Sequence, residues 1–236
     1  MFFAVFYEAT APRPAPFPWT LSVETERPQD FYYTTSNHFN TMGMAPLPLS
    51  FYARNTLQVA QELLGKVLAH KIKSQWIAGR IVETEAYLGE EDPGSHAFRG
   101  PTPRACIMFE KPGKAYIYFV YGNHHCFNVV AHNGGAGAVL IRALEPLMGI
   151  PEMKRRRKLD HEENLTNGPG KLAQALGITR EQLGVNLNQG NLLIIENLPP
   201  EEKITKTPRI GLSQGKRKPY RFCLKKNRHV SKPHPW

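Results

Sequence analysis

Hydrophobic and polar positions fall into a regular pattern only from about Leu49 onward. Leu57, Ala60, Leu63 and Leu64 recur on one helical stripe and Gly65 follows, which predicts a helix over 56–64. Runs rich in β-branched residues predict strands over 66–72 and 76–88. Residues 89–114 carry Gly and Pro repeatedly and read as one long loop, a length usually associated with function. A meander follows: a strand over 115–121, a turn at Gly122-Asn123, a strand over 124–131, a turn at Asn133-Gly134-Gly135 and a strand over 138–144. A helix over 151–158 with Pro151 at its first position, a short helix over 171–176 closed by Gly177, and strands over 192–196 and 220–225 complete the pattern. This order predicts a single α+β domain over 49–232, built on a curved antiparallel sheet with peripheral helices, and a short tail at 233–236.

Residues 1–48 show no sustained period, and Pro12, Pro14, Pro16 and Pro18 alternate, which no helix tolerates. They read as a disordered or loosely docked extension. Met42 and Met44 stand just before the patterned region, so a start at either is compatible with the sequence.

Within the second predicted strand, Glu83, Glu85 and Tyr87 project to one face and Val82, Thr84 and Ala86 to the other. Two carboxylates and a phenol on one face fit either a solvated sheet surface or the floor of an active site.

Net charge changes the picture. At +10, with pI near 9.6, the chain favours a polyanionic partner, nucleic acid first. Residues 203–236 hold eleven Lys/Arg and no acid, which also fits a solubilising tail. Cys106, Cys126 and Cys223 are scattered and form no C-x-x-C pair, so neither a disulfide framework nor a metal cluster is expected, and a reducing compartment fits. No run reaches the roughly 18 apolar residues of a membrane span. The first residues lack the basic region of a signal peptide, so an intracellular location and no membrane partner are expected.

Further candidate chemistry lies downstream. Tyr118 and Tyr121 near the hairpin tip fit either ordinary strand positions or wedges into a base stack, whereas Tyr116 reads as a plain strand residue. Asn167-Gly168-Pro169-Gly170-Lys171 leads into a helix whose first turn would suit a phosphate, although a plain loop-to-helix junction is as good a reading. The spacing is not a P-loop. Lys154-Arg155-Arg156-Arg157-Lys158 could follow a nucleic-acid backbone or form a solvated helix face. His96, His124 and His125 stand outside any metal-ligand spacing, so no metal is expected.

Several long motifs together resemble one family. Glu83-Thr84-Glu85-Ala86-Tyr87-Leu88-Gly89, His96, Thr102-Pro103-Arg104 and Lys111-Pro112-Gly113 come first. Tyr116-Ile117-Tyr118-Phe119-Val120-Tyr121-Gly122, Cys126-Phe127-Asn128 and Leu140-Ile141-Arg142-Ala143-Leu144-Glu145-Pro146 follow in order, then Asn167 to Leu172 and Pro219-Tyr220-Arg221-Phe222. Over roughly 48–232 the chain looks like the alkyladenine (3-methyladenine) DNA glycosylases of the mammalian type.

The resemblance implies a base-excision repair enzyme that flips alkylated or deaminated purines out of double-stranded DNA and hydrolyses the N-glycosidic bond, with no cofactor and no strand cleavage, as a monomer. It implies Glu85 as general base and Arg142 as the group that helps hold the attacking water. Tyr87, His96 and Tyr118 would wall the base pocket, Asn128 would crowd the 2-amino group of a normal guanine, and Tyr121 would fill the vacated stack. Gly170, Lys171 and Arg104 would hold phosphates. Departures from the family pattern are Ala97 in place of a serine after the pocket histidine, Gly170 where some members carry serine, and the hairpin tip Asn123-His124-His125. The charge alone also admits a non-catalytic binder of distorted DNA, or an enzyme acting on RNA.

Overall fold

The computed structural model describes residues 45–120, 122, 124–197 and 199–236. Tyr121 and residues 1–44 of the expected extension lie outside the described residues. The last part of that extension runs beside the sheet: Pro46 bridges Ile195, and Leu47 is fully buried.

The protein is an α+β domain on one curled antiparallel sheet. Its strands are β1 (Val67–Ile72), β2 (Gln75–Leu88), β3 (Ala115–Val120), β4 (His124–Val130), β5 (Gly137–Met148), β6 (Leu192–Ile195), β7 (Ile204–Thr207) and β8 (Arg221–Leu224). The main path is β3-β4-β5-β2-β1-β6, and β7 and β8 attach through β2. The long strand β2 organises the rest. One edge pairs with β5 from Ala78 to Leu88, while the other pairs first with β1 and then, at Glu83, Thr84 and Glu85, with β8.

Alternation along these strands separates two faces. Val82, Ala86, Ile117, Phe127, Val129, Val139 and Ile141 enter the main core, and Thr84 donates from the same face to Ala60 O at 2.7 Å. Four helices border the sheet: α1 (Leu49–Tyr52), α2 (Thr56–Glu62), α3 (Ile150–Arg157) and α4 (Pro169–Leu176). Asn55 caps α2 by accepting from Leu57 N and Gln58 N, and Gly177 closes α4 at φ +64°, where a side chain would be strained.

Three sequence expectations are corrected. Helix α3 starts at Ile150, so Pro151 is its second residue. Strand β5 continues past Leu144 to Met148 through Pro146, which stands opposite a β2 irregularity between Ala78 and Gly79. Strand β7 was not foreseen: its residues alternate between exposed and half-buried, and its one apolar residue, Ile204, is exposed. Among the described residues no helix is long and apolar enough to cross a membrane.

Candidate active site

The face of the sheet opposite the core is polar and aromatic. Across the β3–β4 hairpin, Tyr116 stands opposite Asn128 and Tyr118 opposite Cys126. Asn128 then stands opposite Leu140 on β5, and Leu140 opposite Glu85 on β2. Residues in register across an antiparallel sheet share a face, so these four strands present one continuous surface. The surface is roofed by the 89–114 loop, by residues 210–212 and by Pro169 at the start of α4, leaving a cavity of about 320 Å³. That volume is at the small end for ligand sites and suits one nucleobase-sized group. Tyr87, His96, Tyr118, Asn128 and Arg142 all line it, so the expected pocket residues come together.

Glu85 is the polar centre, although its carboxylate has no exposed surface (0%). Oε2 accepts from the Tyr87 hydroxyl at 2.7 Å and from Arg142 Nη1 at 3.2 Å, and Oε1 accepts from the Ile210 backbone N–H at 2.8 Å. All three partners line the cavity, so the carboxylate lies directly behind its wall. Glu83 is bound differently. Arg142 Nε, Arg221 Nε and Ser231 Oγ donate to its Oε1, and Ser231 N donates to its Oε2. A carboxylate has about four acceptor sites. Of the residues that donate to Glu83 only Arg142 lines the cavity, whereas all three that donate to Glu85 do, and Glu85 Oε1, with one donor, can still accept from a water. The two acids that look equivalent in the sequence are thereby told apart.

Residues 50–228 match the methylpurine-DNA glycosylase family. The chain belongs to that family. A protein of Carboxydothermus hydrogenoformans named "Putative 3-methyladenine DNA glycosylase" is 49% identical over 189 residues, covering 79% of this chain and 98% of its own. A protein of the same name from Methanoculleus marisnigri is 48% identical over 191 residues, with the same two coverages. These relatives are bacterial and archaeal, so they support the methylpurine-DNA glycosylase family but not the mammalian type suggested by the motifs.

Electrostatics set the protonation states in this candidate site. Burial lowers the pKa of Arg142, but Glu85 and Glu83 outweigh it and keep the guanidinium charged. Its Nη2 has no partner among the described residues and is free to donate to a ligand or water. Burial, then the charge of Glu85, raises the Tyr87 pKa, so the phenol keeps its proton and donates it to Glu85. His96 opens a short 3-10 turn (His96–Arg99), and its Nδ1 is 2.7 Å from the Tyr116 hydroxyl. Burial, then the charge of Arg104, pushes His96 down to about 4, so its ring is neutral at pH 7.

Burial likewise lowers the pKa of His70 and His229. As pH falls below the ordinary histidine value of 6.5 the unfolded chain takes up protons that these folded sites refuse. Stability is therefore expected to fall between about pH 6.5 and 4. A lower denaturant midpoint at pH 5 than at pH 7.5 checks this.

The expected phosphate residues do not form one group. Arg104 lies over the Tyr118 ring, its Cζ 4.9 Å from the centroid. A Cβ on Gly170 would come within 3.0 Å of His124, so this glycine allows α4 to pack closely on the hairpin. Lys171 donates to Asn167 Oδ1 at 2.7 Å, and burial, then the charges of Arg157 and Lys232, lowers its pKa. The basic run on α3 is largely internally engaged: Arg155 and Arg156 pair with Glu152, and Arg157 donates to Leu165 O.

Sequence reasoning missed four features. Tyr116 is not a plain strand residue; it is buried, lines the cavity and contacts His96. Arg209 and Asp92 form a fully buried ion pair, and Arg209 also donates to Ala86 O and lies 4.7 Å from the Tyr87 ring centroid. A Cβ on Gly94 would lie 2.6 Å from Arg209 Nη2, so only glycine fits this approach. Arg221 joins Glu83 to the backbone of Ser231 and Pro233. Two of the eleven cations in 203–236 are therefore internal. The absence of acids in that segment could have prompted a search for distant acidic partners.

Proposed function

We propose that this chain is a base-excision repair glycosylase acting on double-stranded DNA as a monomer. Its substrates are alkylated or deaminated purines: 3-methyladenine, 7-methylguanine, hypoxanthine and ethenoadenine. The observation that carries this reading is Glu85, with acceptor capacity left, set behind an aromatic cavity between Tyr87, Arg142 and Ile210.

The flipped base enters between Tyr87, His96 and Tyr118, where stacking favours any purine and a damaged base is cheaper to extrude. Asn128 Nδ2 is held by Tyr116 O at 3.0 Å, fixing the amide where it crowds a 2-amino group. Water held by Arg142 Nη2 and Glu85 attacks C1′. Its proton goes to Glu85, and the carboxylate stabilises the oxocarbenium-like state as the base departs. Strand cleavage would require an amine nucleophile. Among the described residues no lysine lines the cavity, which supports a hydrolytic, monofunctional enzyme.

Release of free base from duplex oligonucleotides carrying each of these purines, under single turnover, tests the reading. Failure on every lesion overturns it. Lys171, under the charges of Arg157 and Lys232, contacts a DNA phosphate in this reading. Lys171→Ala is expected to make the slope of log K against log salt less steep by about 0.9. Filter binding across a salt series measures this, and an unchanged slope removes Lys171 from the contact.

A further inference from the structure

We propose that Arg104 is a specificity-determining residue that biases the cavity toward neutral 6-oxopurines and against cationic alkylated purines. This rests on the reading of the cavity as a purine pocket. Arg104 is exposed yet lines the cavity, so it stands at its mouth. Its guanidinium lies 4.9 Å from the Tyr118 centroid.

The other guanidiniums of the site are compensated: Arg142 by Glu83 and Glu85, Arg209 by Asp92. Arg104 forms no ion pair among the described residues, so its charge is the uncompensated one at the mouth. The electrostatic consequence is direct. Tyr118 already carries one cation on its ring, and Arg209 holds the same position beside Tyr87. The rings that would attract a cationic purine are thus partly spent on resident guanidiniums. A second positive charge in the cavity also meets Coulomb repulsion from Arg104, screened by its exposure.

The same guanidinium offers a planar fork of donors. That fork matches the O6 and N7 acceptors of a 6-oxopurine, the pairing by which arginine reads a guanine edge. A neutral deaminated adenine presents this edge. A purine methylated at N7 loses one acceptor and gains a charge. The Tyr116 hydroxyl lies 2.7 Å from His96 Nδ1, and the lowered pKa of His96 makes its ring a neutral neighbour for either base.

The test compares single-turnover release from duplexes carrying hypoxanthine or 7-methylguanine by wild type, Arg104→Gln and Arg104→Lys. Arg104→Gln is expected to slow hypoxanthine release and speed 7-methylguanine release, shifting their ratio about tenfold. Arg104→Lys keeps the charge and should retain the discrimination against 7-methylguanine. The ratio is taken within each variant, so a loss of folded protein cancels. Equal losses on both substrates, with a salt slope less steep by about 0.9, would make Arg104 a phosphate contact and overturn the proposal. An unchanged ratio overturns it as well. If wild type releases neither these bases nor 3-methyladenine nor ethenoadenine, the glycosylase reading itself falls, a result distinct from an active enzyme with an unmoved ratio.

Discussion

Glu85→Gln is expected to slow base release by about 10²–10⁴-fold while binding to duplex DNA persists. The side chain keeps its volume, so the buried site is not emptied. It loses the charge that stabilises a positive sugar and the basicity that accepts a proton from water. The three donors around Glu85 make the substitution diagnostic. With the amide nitrogen toward Ile210, two N–H groups face each other. With it toward Tyr87 and Arg142, it meets the Arg142 N–H. Either orientation leaves a donor against a donor, while Arg142 keeps its bond to Glu83 and stays in place. Single-turnover release and binding measured on the same preparation separate the two effects. Release at the wild-type rate would remove Glu85 from the chemistry. Glu83→Gln serves as the contrast: two of its three partner residues, Arg221 and Ser231, lie outside the cavity lining, so its cost should fall on stability through Arg142, Arg221 and Ser231.

What the sequence shows of this site depends on the range of the interactions. The alternation of Glu83, Glu85 and Tyr87 against Val82, Thr84 and Ala86 is local and survives intact in β2. The hairpin turn was legible from Gly122, and with it the sharing of one face by Tyr116, Tyr118 and their cross-strand partners. The structural role of Glu83 was not legible, because its donors include Ser231, 148 positions away, and nothing in a serine near the end of the chain signals that contact. The role of Tyr116 was hidden for a similar reason: strand propensity accounts for a tyrosine there, and His96 reaches it from a loop. Charge counting erred where cations are internal. Arg209 and Arg221 add to a basic segment on paper but spend their charge on buried acids. The strand expected to end at Leu144 runs on through Pro146, whose missing N–H an irregular register accommodates.

The Arg209–Asp92 pair is the second place where a single change should act strongly. Arg209→Ala is expected to destabilise the fold by about 3–5 kcal/mol, because Asp92 is left buried without its cation. The guanidinium beside Asp92 outweighs burial and holds that carboxyl below its usual range, so the stranded charge is real at pH 7. The effect on activity has a separate origin. Arg209 joins the 92–94 turn to Ala86 of β2 and lies against the Tyr87 ring, and its neighbour Ile210 donates to Glu85. Losing it frees the strand-to-loop segment that holds one of the three donors to the proposed base. A displacement of about 1 Å at such a point costs on the order of 10²-fold in rate. The double change Asp92→Ala with Arg209→Ala separates the two roles. It removes both charges, so denaturant unfolding should show most of the lost stability regained. Base release should stay slow, because Arg209 then no longer joins the 92–94 turn to Ala86 or lies against the Tyr87 ring. If the double variant recovered rate along with stability, the pair would be a structural brace alone.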